Sequence, residues 1–574
     1  MTAAEWAEYA GGYHDGGGGG DDVPPGPGGD GDGEDGGDRL DPALVIAGSD
    51  ETWHAASADR ACEIIAGVPE VFLDRLRQLV VVDDSPTSTA RLDYVTAARV
   101  PDMIGRAGAV CMAEGKKGMR PVQPPGVLCA TVVSRRTRRA PWKVLEGFAA
   151  GPYLLRTGEI VQEPGWSRST GLWLSERGVC AFPAFGQAGA IRDTGVSGPE
   201  EGRRLCEWLL RDLAEFPWAT ETPGSEDEGL DRAVWLAYLF TLVTRPAYEQ
   251  VPLFLFEASR PRSGKDLLFK CAEVVAFGRT SARIVLKDNE EENEKKIGSA
   301  LKEGDTAIVF SDSKRLGDPL LLSLITEGPA VKLRLLGASE TIPVPKTLVL
   351  GANGNNLTFE APDLIPRTIA LRLVPKTDTP ESVAHGMTQE ELLAKFSAFR
   401  PVYLSAVFNV LRGFLLWPLD KRKGEPCGSF PGWASVVRDC LLWCGYPDVV
   451  RSQARLRRTM PVGEGGAMRS LIAAWWACFR SESVTSKRIL NHAASIVGAA
   501  NPDPSISALA DALGALTDRD RVSAKGLTAL IEKSRDGWFP IDDGFGTPIG
   551  RVQVVFRGEV QGTRTFGLAF QAGA

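Results

Sequence analysis

Apolar residues along this chain change period several times, and the sharpest change lies near the middle. From Leu230 the pattern is that of an apolar helix ending at Pro246; the continuous apolar run Val251 to Phe256 follows, then a loop of small and charged residues and a helix from Leu267 to Phe277. A short run that is apolar at every position suits a parallel strand covered on both faces. The alternation continues through a strand at Arg283 to Leu286, the charged helix Glu290 to Leu301, and strands at Thr306 to Phe310 and Lys346 to Leu350. These elements predict a parallel α/β domain over residues 226–410.

The flanks read differently. From Pro42 to Phe216 helical spacing, as in Ala61 to Val80, mixes with short strands and Gly/Pro turns, as in Pro152 to Leu174, and predicts a mixed α+β accessory domain over 41–225. Residues 411–574 are mainly helical, with helices expected at Met468 to Phe479, Ser486 to Val497, Ser505 to Leu516 and Gly526 to Ser534. Two strands close the chain, Val552 to Phe556 and Thr563 to Ala569. Helices followed by a β-hairpin suggest a winged-helix domain, with Lys487, Arg488, Arg551, Arg557 and Arg564 as DNA contacts; a helical lid without a ligand is the alternative.

Composition refines this picture at the start of the chain. Gly11 to Arg39 is nearly all Gly, Asp and Pro, too poor in apolar surface to fold, so residues 1–40 are expected to form a disordered acidic tail. Residues 1–60 carry 14 acidic and 2 basic side chains, so the net charge of −8 conceals a remainder at +4. That balance permits contact with nucleic acid. The densest basic patch, Ser134 to Arg139 with Lys116, Lys117, Arg120 and the nearby Trp142, reads either as a phosphate contact or as a solvated loop. Ten scattered cysteines and four dispersed histidines suggest neither disulfides nor a structural metal, and the pair Cys440 and Cys444 reads as core packing. No stretch of apolar residues is long enough to span a bilayer, and Met1 to Ala10 lacks the features of a secretory signal; a cytoplasmic protein is expected.

The loop after the apolar run Val251 to Phe256 carries the candidate chemistry. It reads Ser259-Arg260-Pro261-Arg262-Ser263-Gly264-Lys265-Asp266. In a phosphate-binding loop, backbone N–H groups wrap the phosphates, the lysine supplies charge, and the next Ser or Thr hydroxyl holds Mg²⁺. Ser263, Gly264 and Lys265 suit that role for ATP. Ser259 stands where the pattern has its first Gly, and Asp266 where it has Ser or Thr. Further on, Ala307 to Phe310 ends in Ser311-Asp312-Ser313, placing an acid where a second Mg²⁺-organising carboxylate belongs, and Leu348 to Leu350 leads to the amides Asn353, Asn355 and Asn356. Lysine, acid and amide at successive strand ends converge on the carboxyl edge of an open parallel sheet.

The run from Thr244-Arg245-Pro246-Ala247 through Asn355-Asn356 to Asp363 and Arg367 resembles the helicase half of the primase-helicases carried by phages, prophages and plasmids, related to superfamily 3 replicative helicases. Pro124-Pro125 and Gly165 echo it faintly. The resemblance implies an AAA+-like P-loop ATPase core using ATP and Mg²⁺, with Lys265 as the phosphate lysine and Asp312 as the Walker B acid. It also implies sensor asparagines at Asn355 and Asn356, an arginine finger at Arg367, and a DNA-contacting hairpin bearing Lys332 and Arg334. A homo-oligomeric ring, hexameric, acting on single-stranded DNA in phage, plasmid or mobile-element replication would follow. Residues 40–225 contain no acidic catalytic motif or zinc cluster for nucleotide polymerisation, so a separate primase is expected. The family has Gly where Arg262 stands and Thr where Asp266 stands. Asp266 can itself coordinate Mg²⁺, so two readings stay open: an active helicase, or a non-hydrolysing P-loop scaffold that binds DNA.

Overall fold

The computed structural model describes residues 45–49, 53, 55–74, 77–85, 88–116, 118–134, 142–182, 190–258, 260, 262–287, 289–311, 315–317, 319–326, 331–334, 341–344, 347–354, 358–359, 361–375, 377, 386–418, 428–459, 463–495, 503–514, 516, 522–535, 537–542, 548–560 and 562–572. The acidic tail and the basic run from Arg135 to Arg139 lie outside them.

Five parallel strands form the centre: β1 (Leu253–Ala258), β2 (Ala282–Ile284), β3 (Ala307–Phe310), β4 (Val349–Gly354) and β5 (Thr368–Leu373). They lie side by side in the order β2-β3-β4-β1-β5. The sheet fits a mixed α/β architecture, and its strands are almost wholly buried, as their continuous apolar sequences require. Helices α1 (Leu230–Thr244), α2 (Lys265–Phe277) and α3 (Glu290–Lys302) link or flank the strands. Packing of α2 onto the sheet is close. Phe256 of β1 stacks on Phe269 of α2 at 3.7 Å between ring centroids, and a Cβ on Gly351 of β4 would come within 2.6 Å of the Phe269 ring. Tyr238 of α1 meets Phe254, Phe256 and Phe269 edge-on, an aromatic arrangement that contributes beyond area burial.

The far end of α2 is fastened by Arg400, the first residue of α4 (Arg400–Leu416). A helix leaves its last carbonyls without partners. Gly278, left-handed at φ 73°, donates its N–H to Val274 O, while Arg400 Nε donates to Val275 O and Nη2 to Ala276 O. The same guanidinium donates to Gly178 O and Val179 O. Gly151 and Gly178 leave room for this joint, since a Cβ on Gly151 would lie 2.1 Å from Ala276 O. The hydrophobic core around the central sheet accordingly extends from Ala150 to Leu456 and includes the helix Pro199–Leu210.

Among residues 45–149, two three-stranded sheets sit with the helices Ala55–Ala66 and Gly126–Ser134. The single helix expected over Ala61 to Val80 is corrected: it stops at Ala66, and Val71–Leu73 and Leu79–Ser85 are paired strands. Gly67 and Pro69 end the helix. The intervening turn is closed by Asp74, which accepts from Gln78 N at 2.7 Å, and by Arg77 in the left-handed region at φ 61°.

A second hydrophobic cluster spans Met468 to Leu568. It comprises helices α5 (Gly463–Phe479), α6 (Ser486–Ala494), α7 (Pro504–Gly514) and α8 (Ala524–Lys533) with an antiparallel sheet. The sheet's strands are β6 (Val484–Thr485), β7 (Trp538–Asp542), β8 (Pro548–Val560) and β9 (Thr563–Ala572), in the order β6-β9-β8-β7. Among the described residues no helix is long and apolar enough to cross a membrane.

Because Arg400 satisfies four carbonyls at once, Arg400→Met is expected to destabilise the chain by about 3 kcal/mol or more. A lower urea midpoint at unchanged slope is the measurement that checks it; a midpoint equal to wild type would show the joint to be dispensable.

Candidate functional site

Strand order determines where a ligand can enter. The chain leaves β1 and travels through α2 to β2, beyond β4 and β3; it leaves β4 and crosses to β5 on the opposite side of β1. The two connections part between β1 and β4, and a crevice at such a switch point, outside the carboxyl ends of the strands, is where open α/β sheets bind ligands. The loop ending at Gly264 opens there.

Within that loop Arg262 is exposed and left-handed at φ 55°, and Gly264 is left-handed at φ 86°. Arg262 therefore adopts the conformation that glycine supplies freely, with a side chain attached. Ser263, buried, donates its hydroxyl to Arg260 O at 2.6 Å, closing the turn. Gly264 is the N-cap of α2 and Lys265 its first helical residue, so the first backbone N–H groups and the positive end of the helix dipole face the loop beside a buried ammonium-bearing side chain. A Cβ on Gly264 would meet the Phe216 ring at 2.6 Å. Phe216 belongs to a segment that runs along β5: Trp218 bridges Leu373, and Ala219 N donates to Arg372 O.

Asp266 is turned away from a simple metal-ligand role. Its Oδ1 accepts from Arg283 Nε at 2.9 Å and its Oδ2 lies 2.8 Å from Lys270 Nζ. Burial raises its carboxyl, but Arg283 and Lys270 together outweigh that and hold it below the usual Asp value. Arg283 also donates to Glu273 Oε2 at 2.7 Å; Glu273 is fully buried and accepts from Tyr238 OH and Ser281 N. Asp266, Lys270 and Glu273 follow the i, i+4, i+7 spacing of one helix face. Arg283 on β2, the shared partner of Asp266 and Glu273, has no local signature.

On the other side of β1, Asp231 is fully buried and accepts from Thr220 N, Thr220 Oγ1, Arg372 N and Arg455 Nη2. Glu257 lies near this group, one residue from the end of β1; its Oε1 is buried without a hydrogen-bond partner. Burial pushes the Glu257 carboxyl above its usual value, against the pull of Arg372 and Arg455.

The remaining expected positions divide by location. Asp312, Asn355 and Asn356 lie outside the described residues; their neighbours Ser311 and Gly354 end at the same carboxyl edge as the loop. Arg367 closes the 3-10 turn Pro362–Arg367 before β5, at the amino edge, and donates to Asp363 O at 2.8 Å. A strand of this length separates the two edges by roughly 20 Å, so the loop and Arg367 of one chain are not brought together. Lys332 and Arg334 belong to the first strand of a hairpin formed by Val331–Arg334 and Thr341–Val344. Lys487 and Arg488 are exposed in the first turn of α6, where Arg488 pairs with Glu482 at 2.7 Å. Cys206, Cys440 and Cys444 are buried in the central core.

No protein-family profile and no curated protein matches the chain. Solved structures similar to it include the C-terminal region of NrS-1, with 9% identity over 87% of this chain and 96% of that one at a TM-score of 0.32. The SCCmec type IV Cch active helicase shares 12% identity over 79% of this chain and 90% of its own, at 0.31. The JCV helicase shares 15% over 43% and 68%, at 0.20. These likenesses are weak and assign no role to any residue.

Two expectations follow from the loop and its surroundings. Arg262→Gly should leave stability within about 0.5 kcal/mol, relief of the left-handed strain offsetting the added freedom of the unfolded chain, whereas Arg262→Val should cost about 1–2 kcal/mol; chemical denaturation of both checks this. Glu257 binds its proton more tightly when folded, so its contribution improves as pH falls through the raised folded value towards the ordinary Glu range. Glu257→Gln should therefore stabilise the protein at pH 7.5 by on the order of 1 kcal/mol, a gain that shrinks on acidification; melting temperatures of the pair across that range are the readout.

Proposed function

We propose that this chain is an ATP-dependent DNA helicase or translocase of phage, plasmid or other mobile-element replication. The observation that carries the reading is the placement of Lys265, buried at the first position of α2 behind left-handed Gly264, at the switch point between β1 and β4. Backbone N–H groups at that helix start would hold the phosphates, with Lys265 as the fixed charge. Arg367, at the opposite sheet edge, suits completion of a neighbouring subunit's site in a ring, which we take to be a hexamer. Lys332 and Arg334, in their hairpin, would meet single-stranded DNA, and the helices and hairpin after residue 463 would form a winged helix. Synthesis of primers would fall to a separate protein.

Mg²⁺, when bound, would neutralise charge on the transferring phosphoryl oxygens. Asp266 fits that ion poorly, because both its oxygens already face cations. The same ion pairs favour a second reading, a P-loop scaffold that binds nucleotide and DNA without turnover.

Nucleotide binding and DNA-stimulated phosphate release, measured side by side, separate the two. Lys265→Ala should lose both, with turnover down roughly two orders of magnitude, the scale on which a preorganised charge matters; Arg367→Ala should keep binding and lose turnover. Turnover that survives Lys265→Ala would remove the site. Wild type that binds nucleotide without releasing phosphate, with activity appearing in Asp266→Thr, would establish the scaffold.

A further inference from the structure

The antiparallel sheet β6-β9-β8-β7 has one face against α5 to α8, where Ile541, Val552, Val554, Phe566 and Leu568 are buried. Alternation along the strands sends the intervening residues to the other face. Pairing register places them in rows: Pro540 beside Arg551 and Gln571, Trp538 beside Gln553 and Ala569, and Val555 beside Gly567. Trp538 is 43% exposed, an unusual state for an indole on a sheet, and Arg551 and Gln571 are also exposed. The Arg551 guanidinium lies 4.7 Å from the centre of the Trp538 ring, and its Nε donates to Gln571 Oε1 at 2.8 Å. Arg557 lies across Gly567, where a Cβ would meet its Nε at 3.0 Å. These rows hold two guanidinium groups, an indole and two primary amides, and no carboxylate.

Two arginines on the helical side are committed to acids. Arg564 is paired with Glu532 and Glu559, and Arg488 with Glu482. Among the described residues, Arg551 and Arg557 make no ion pair, and they stand on the outward sheet face next to a flat aromatic surface and the low shelf made by Gly567 and Ala569. Unpaired bases stack on such surfaces regardless of sequence, amide groups meet base edges, and guanidinium groups meet the backbone phosphates. A paired duplex keeps its base faces inside the helix and has no use for a stacking surface.

We propose that this outward face is a binding platform for single-stranded nucleic acid, with Trp538 and Arg551 as its stacking centre and Arg557 as a phosphate contact. The platform works without nucleotide and is separate from both the Lys265 loop and the Lys332 hairpin. It is tested with the full chain, in the absence of ATP, by fluorescence anisotropy of a fluorescein-labelled oligothymidylate, an abasic strand of equal length and a hairpin duplex. Wild type should bind the abasic strand about tenfold more weakly than oligothymidylate, and Trp538→Ala with Arg551→Ala should weaken oligothymidylate binding about tenfold while leaving the duplex unchanged. Trp538→Phe, which keeps an aromatic face, should retain most of the affinity. Lys265→Ala, and Lys332→Ala with Arg334→Ala, should show the same tenfold drop when the platform pair is added, whatever becomes of the ATPase reading. The platform is overturned if the double variant binds oligothymidylate as wild type does, if the abasic strand binds equally well, or if Trp538→Phe loses as much as Trp538→Ala. A loss shared equally by the duplex would likewise refute it.

Discussion

Arg400 meets the foot of the helix whose head carries Lys265. Four backbone carbonyls from two distant stretches of chain converge on one buried guanidinium. Burial draws that guanidinium below its ordinary value, yet a cation at a helix C-terminus is favoured by the helix dipole and by the carbonyls it satisfies. At 13 residues α2 is about 20 Å long, so an error in its foot is carried to its head. With Gly278 and Arg400 fixing the foot and Phe269 packing the half nearer the head, the loop at the upper end can be held in a left-handed, locally unfavourable shape. Much of that loop's support lies outside it.

Much of the central fold could be read before any coordinates. Strands buried on both faces appear as unbroken apolar runs, and β1, α2 and β3 fall within a few residues of where the hydrophobic pattern placed them. What the pattern could not supply was lateral order. Arg283 and Asp266 are 17 residues apart in the chain, and nothing in either stretch announces that β2 delivers one to the other. Phe216 against Gly264 is equally silent, because that contact depends on a segment running along β5. The position of Arg367 relative to the loop emerges only when the order β2-β3-β4-β1-β5 is known. In the accessory region, apolar spacing between Ala61 and Val80 suited a helix, and Gly67 with Pro69 decided otherwise.

The network around Asp266 shows how a carboxylate at the start of a helix can be absorbed. A carboxylate at the start of α2 would repel phosphate if left alone. Here Arg283 and Lys270 neutralise it, while Glu273 takes a second hydrogen bond from the same arginine. The net charge near the helix start is thereby kept near balance, and the anion-attracting end of α2 is not cancelled by its own second residue. Position 266, the loop and β2, the strand that ends the crossover, act as one charge-balanced unit.

Arg262 separates backbone shape from residue type in this loop. Its backbone holds a glycine-like angle although the residue is not glycine, so shape and spelling have come apart at this position. Asparagine or aspartate, which tolerate the same angle better than other side chains, would serve as stepping stones between glycine and arginine. In this loop the torsion angle at position 262, more than the identity of its side chain, sets the path of the turn.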